Sequence, residues 1–159
     1  MKRYLLAASI LVSAAAPSFA QSAADYVMKA GAGDLYEKQS SQLVLKTTKD
    51  PKVRDFAQMM VTDHTKSSAD VKAAAQASGL TPKPPVLDAK KSGMIADLTK
   101  ASGVKRDQVY VTQQKAAHQE ALALHQGYAS TGDKPALKAA AAKIAPVVQH
   151  HIEMLSTMK

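Results

Sequence analysis

Four stretches of the chain place a small or apolar side chain at every third or fourth position, a period that commits it to packing helices side by side. The first stripe reads Tyr26, Ala30, Gly33, Glu37, Ser40, Val44, and the second Val53, Ala57, Met60, His64, Ser67, Val71, Ala74. The third reads Val111, Gln114, His118, Ala121, His125, Tyr128, and the fourth Leu137, Ala141, Ile144, Val148, His151, Leu155, Met158. The residues between are mostly Ala, Lys and Gln, good helix formers, and β-branched runs are lacking. Helices of about 25 residues are roughly 37 Å long.

Local punctuation sets their ends. Ser22 and Asp25 stand at capping-box spacing and open a helix running to about Thr47. Asp50 is a good N-cap and Pro51 suits the first helical position of a second helix, which ends near Ser78 with Gly79 as its stop. Pro82-Lys83-Pro84-Pro85 cannot be regular helix. A short helix is predicted over 89–101, a third long one over Asp107–Ser130 closed by Gly132, and a fourth from Asp133 and Pro135 nearly to Lys159. The first and second long helices are joined tightly, as are the third and fourth, so each pair is antiparallel. The connector between the pairs is long enough to travel the length of the bundle. The expected fold is therefore all-α: a ferritin-like four-helix bundle, two helical hairpins joined by a long crossover carrying a short helix, with simple up-and-down order as the alternative.

The first twenty residues stand apart. Lys2 and Arg3 precede an apolar run from Tyr4 to Ala16, and Ser18-Phe19-Ala20 is a small-x-small cleavage site. That is the pattern of a secretory signal peptide at 1–20, cleaved to leave a mature chain starting at Gln21; the run is shorter than the ~20 apolar residues of a membrane span. The expected location is periplasmic or secreted, and residues 21–159 suit one domain able to bury a core without disulfides. There is no cysteine, hence no lipid attachment at the cleavage site and no thiol nucleophile. The net charge is +8, but the lysines are scattered and no aromatics are interleaved with them, so a solvated basic surface is favoured over a nucleic-acid platform.

Each stripe is interrupted near its middle by one side chain able to bind a metal: Glu37, His64, His118 and His151. Counted from the two tight turns at about 1.5 Å per residue, the two members of each hairpin agree in height within one helical turn, so all four can share a layer. Burying four polar groups is costly unless they satisfy one another or a ligand. One reading is a metal site of neutral imidazoles and a carboxylate, suited to Zn, Cu, Ni or Fe. The other is a metal-free network of His–Glu pairs that fixes helix register. Gln114, one turn from His118, can support such a layer, whereas Asp63 and Glu120 are expected to point partly away from it. His150, Glu153, Met154 and Met158 make a His/Met-rich end of the fourth helix. Thioether suits Cu(I), but Met on a helix face also serves as core filler. Pro146, inside the fourth helix, removes a backbone donor and is expected to kink it. Gly31-Ala32-Gly33 lies within a helical pattern and fits close packing better than phosphate binding.

These same residues carry a family resemblance. Phe56-Ala57-Gln58-Met59-Met60-Val61-Thr62-Asp63-His64 resembles the second-helix signature of the bacterial "domain of unknown function 4142" family. Asp25-Tyr26 followed by Glu37, Tyr110 with Gln114 and His118, and Pro146 followed by His151 resemble its other three helices. The resemblance covers essentially the whole mature chain and implies an exported ferritin-like bundle, with Glu37, His64, His118 and His151 carried over and no activity supplied. Arg106 stands where the family often has Phe, and Ala145-Pro146 where Leu-Pro is common. The residues argue against di-iron chemistry, which takes a Glu-x-x-His on each of two helices; His150 and Glu153 have that spacing in reversed order. Gly-x-Ser-x-Gly, His-Glu-x-x-His and phosphate-loop motifs are lacking, which disfavours an enzyme. Two functions are left: a periplasmic metal-binding protein, or a structural or stress-related interaction module of the cell envelope with a metal-free polar core. Neither names a partner or an oligomeric state.

Overall fold

Five helices make up most of residues 21–158, the part of the chain described by the computed structural model, and no strand occurs among these residues. The expected signal peptide lies outside them. α1 (Ala23–Leu45) and α2 (Pro51–Ala77) form one hairpin, and α4 (Gly103–Thr131) and α5 (Pro135–Ser156) the other, with α3 (Ala89–Lys100) in the crossover.

The helix ends follow from local chemistry. Ser22 accepts from the Asp25 amide at 3.1 Å, and Asp50 accepts from the amides of Lys52 and Val53, at 2.8 and 3.4 Å. At the end of α2, Gly79 takes φ +79°, the Gly79 amide bonds the Gln76 carbonyl, and the Leu80 amide reaches back to Ala75. This is the Schellman closure, which needs a residue tolerant of left-handed backbone. α4 starts four residues before the Asp107 expected from sequence. Asp107 does not cap: its carboxylate accepts from Thr48 Oγ1 at 2.9 Å. Arg106 instead gathers the end of α3, donating to the carbonyls of Leu98, Ala101 and Thr99 and to Thr47 Oγ1. With those carbonyls satisfied the chain turns directly into α4.

Contacts between helices decide the topology. The Thr48–Asp107 bond and the Ser41–Tyr110 bond (2.8 Å) set the start of α4 beside the end of α1. The crossover therefore runs the full length of the bundle, as in the ferritin-like order and unlike a simple up-and-down one. Around the bundle the order is α1, α2, α5, α4, and α3 packs over α1 and α4. Pro85 of the crossover lies against α1 where a β-carbon on Gly31 would come within 3.2 Å of it, the close packing expected there; a β-carbon on Gly33 would meet nothing within 4 Å.

Two apolar clusters fill the ends. One gathers Tyr26, Ala30, Val71, Tyr128, Leu137 and Val148 near the start of α1; the other gathers Val44, Phe56, Met60, Leu98, Tyr110 and Leu155 near its end. Between them lies a buried polar section containing Asp34, Glu37, His64, Gln114, His118 and His151.

Candidate metal centre

Three imidazoles meet in that section. His64 comes from α2, His118 from α4 and His151 from α5, and their relative exposures are 4, 0 and 1%. The ring centroids are 5.3 to 5.8 Å apart, and one nitrogen from each ring lies within 4.8 Å of the others. Phe56 stands 6.2 Å from both His118 and His151, so one wall is apolar.

The outer nitrogen of each ring has an acceptor. His64 Nδ1 donates to Asp34 Oδ1 at 2.8 Å, His118 Nδ1 to the Gln114 carbonyl at 2.9 Å, and His151 Nε2 to Asp63 Oδ2 at 3.0 Å. A carboxylate or carbonyl oxygen only accepts, so in each neutral ring the proton sits on the outer nitrogen. The remaining nitrogens, His64 Nε2, His118 Nε2 and His151 Nδ1, then carry lone pairs. With these tautomers His118 Nε2 faces His151 Nδ1 at 3.3 Å without a hydrogen between them, and His64 Nε2 is buried with no hydrogen-bond partner among the described residues.

Electrostatics sorts the three rings. Burial lowers His118 to about 3, with the neighbouring His64 and His151 charges adding to the effect. His151 is also lowered by burial, against the pull of Asp63. Burial pulls His64 down as well, but the Asp34 hydrogen bond and the charges of Glu37, Asp34 and Asp63 outweigh it, and the net direction is up. The surroundings thus favour positive charge at His64, while its Nε2 has nothing to donate a proton to.

Of the four residues singled out in the sequence, the fold brings three into this cluster and sets Glu37 behind it. Glu37 Oε1 is 3.7 Å from His118 Nδ1, on the outer side of that ring, and Oε2 is buried without a partner. Burial pushes the Glu37 carboxyl up to about 7, with the His64 charge and the Gln114 amide opposing. Gln114 supports the layer as expected, its carbonyl holding His118 and its amide donating to Ser40 Oγ at 3.0 Å. Glu120 points away and pairs with Lys90. Met154 and Met158 pack partly buried against the apolar cluster at the end of α1, as core filler.

Asp63 differs from expectation. It does not turn away: lying on the flank of α2 next to α5, it reaches His151 across the interface. Asp34 was missed altogether. Its side chain is buried, one oxygen accepting from His64 and the other from Ser68 Oγ at 3.1 Å. The spacing Tyr26, Ala30, Asp34, Glu37 is as regular as the stripe drawn through Gly33, and was the available signal. His125 stays outside the cluster. Its Nδ1 is paired with the Tyr26 hydroxyl at 3.0 Å, and burial lowers it to about 4.

The family described as "Domain of unknown function (DUF4142)" matches residues 9–158. No curated protein matches the chain in sequence. Among solved structures, it is similar to a crystal structure from Streptomyces coelicolor described as a "putative secreted protein DUF305", with a TM-score of 0.68 at 14% identity over 84% of this chain and 88% of that one. At that identity the likeness is one of fold.

Proposed function

We propose, from the premise that the chain belongs to the DUF4142 family, that it is an exported metal-binding bundle holding one transition-metal ion between His64, His118 and His151. The observation that carries this reading is the convergence of three imidazole lone pairs whose outer nitrogens are each fixed by an acceptor. Three lone pairs facing one another repel, and a cation at their meeting point turns that repulsion into coordination. The acceptors on the outer nitrogens set the tautomer and raise the basicity of the ligands, the usual support for metal-bound histidine. Neutral nitrogen donors suit Zn, Cu, Ni or Fe.

Asp34 and Asp63 supply negative charge one imidazole away from the ion, and Glu37 a third carboxyl behind His118. The cluster is buried and walled by Phe56, which favours holding an ion over turning over a substrate beside it. When bound, the ion supplies a strut between the two hairpins, since His64 belongs to one and His118 and His151 to the other. Export rests on Lys2-Arg3, the apolar run after them and the Ser18-Phe19-Ala20 site. It is supported by the description of the Streptomyces relative in fold as secreted.

A second reading keeps the core metal-free and gives the function to the surface, as an envelope interaction module. It is favoured by the fact that each of the three rings already has a hydrogen-bond acceptor. Elemental analysis of the untagged protein, with Zn, Cu, Ni and Fe titrations, separates the two. Near-stoichiometric metal that disappears in His64→Leu and His118→Leu supports the centre. Absence of metal under every condition overturns it in favour of the polar network.

A further inference from the structure

An ion bound at mid-bundle has to pass between two helices, and the four flanks are not equivalent. The α1–α2 and α4–α5 flanks are the tightly joined hairpin interfaces, and α3 lies over the α1–α4 flank, tied down by the Lys90–Glu120 pair. Among the described residues, the α2–α5 flank has neither a short connecting turn nor a covering helix. On it stands Asp63, with 34% of its side chain exposed while Oδ2 accepts from His151 Nε2. The other groups anchoring the trio are shut in: the Asp34 side chain is 4% exposed and Gln114 is fully buried. One position before His151, the exposed His150 sets its ring 6.5 Å from that of His151. The chain as a whole is strongly basic, at +8, and repels cations, so a solvent-facing carboxylate beside the centre is where attraction is concentrated. Pro146, inside α5 and five residues before His151, cannot donate to the carbonyl of Ala142, so α5 lacks one of its own backbone hydrogen bonds shortly before His151.

We propose that the α2–α5 flank is the route by which the ion reaches the centre, with Asp63 capturing it from solvent and passing it by the ring of His151. This rests on the reading of His64, His118 and His151 as a metal centre. Only one ring separates the two positions: His151 Nε2 is on Asp63, and its Nδ1 faces His118 Nε2.

Stopped-flow loading of the untagged protein with Co2+, followed by the d–d absorption of the bound ion, tests the route. Asp63→Asn keeps an acceptor for His151 and removes the charge. Loading should slow by about tenfold at low salt and lose most of its dependence on ionic strength, the signature of lost electrostatic steering. A residue that merely orients His151 would change affinity through release and leave the salt dependence of loading intact. Asp63→Glu should restore the fast rate. Glu120→Gln, which removes a carboxylate on the α3 side, should load like the parent. An unchanged loading rate in Asp63→Asn, or equal slowing in Glu120→Gln, overturns the route while leaving the centre standing. Failure of the parent protein to take up Co2+ or any of Zn, Cu, Ni and Fe overturns the centre and the route with it.

Discussion

Asp34 decides which nitrogen His64 offers to its neighbours. With Oδ1 on Nδ1 and Oδ2 receiving Ser68, the carboxylate fixes both the ring and its tautomer. Asp34→Ala removes that anchor without touching a proposed ligand, and metal affinity is expected to fall by about 10- to 100-fold, read by competition titration against a chelator. The three histidines were legible in the sequence because a polar side chain in an apolar stripe stands out. Asp34 and Asp63 were not, for different reasons. Asp34 competes with the adjacent Gly33 for the inward position, and Asp63 is a flank residue whose role exists only once α5 brings His151 within reach. At this scale the core also titrates. His125 is held to about 4 against an ordinary value of 6.5, so between those values the unfolded chain takes up the proton and the folded one does not. Stability from this group is complete above 6.5 and is lost as pH falls toward 4, by about 3 kcal/mol. His118, lowered to about 3, acts in the same direction. Glu37, raised to about 7, and His64, also raised, act in the opposite direction over this range. The test is therefore a difference between proteins. In urea denaturation of the metal-free protein at pH 7 and pH 4.5, His125→Gln, which cannot take up a proton, should lose less stability than the parent, or gain more.

At the scale of the helix, most of the fold could be read from capping and punctuation. The expected ends of α1, α2 and α3 and the expected start of α5 lie within two residues of those observed, because Ser22, Asp50-Pro51 and Gly79 act through bonds to their own immediate neighbours. The start of α4 was displaced because Asp107 resembles a cap locally but is taken by Thr48, 59 positions away in sequence, a competition that no local pattern contains. Gly79 offers the cleanest test of the local argument. With φ at +79° and open space around a β-carbon, Gly79→Ala introduces backbone strain without a clash. The expected cost is about 1–2 kcal/mol, measured as a lower urea midpoint with an unchanged m-value. An unchanged midpoint would mean that the end of α2 relaxes into another closure.

Across the whole molecule, the polar section divides the core into two apolar clusters and leaves the hairpins to be held together there by side chains with unmet capacity. Four of the side chains in and beside it bury an oxygen or nitrogen without a hydrogen-bond partner: Glu37, His64, Ser67 and Gln114. Each such atom costs about 1–3 kcal/mol relative to a satisfied one, so the middle of the bundle is its weakest layer when nothing bridges it. An ion joining His64 of the first hairpin to His118 and His151 of the second acts where that weakness lies. At a free ion concentration 100 times the dissociation constant, binding to the folded state alone adds about 2.7 kcal/mol. For a chain of this size that is a rise in Tm of roughly 10 °C. The rise should reverse on adding EDTA and be absent in His118→Leu. Hydrogen exchange should slow most in the middle turns of α2, α4 and α5, which carry the proposed ligands, and less in α1, which carries none of them. Equal protection of all four long helices would instead point to a uniform effect of the ion on the bundle, and protection confined to the surface of α5 would place the ion at His150 rather than in the core.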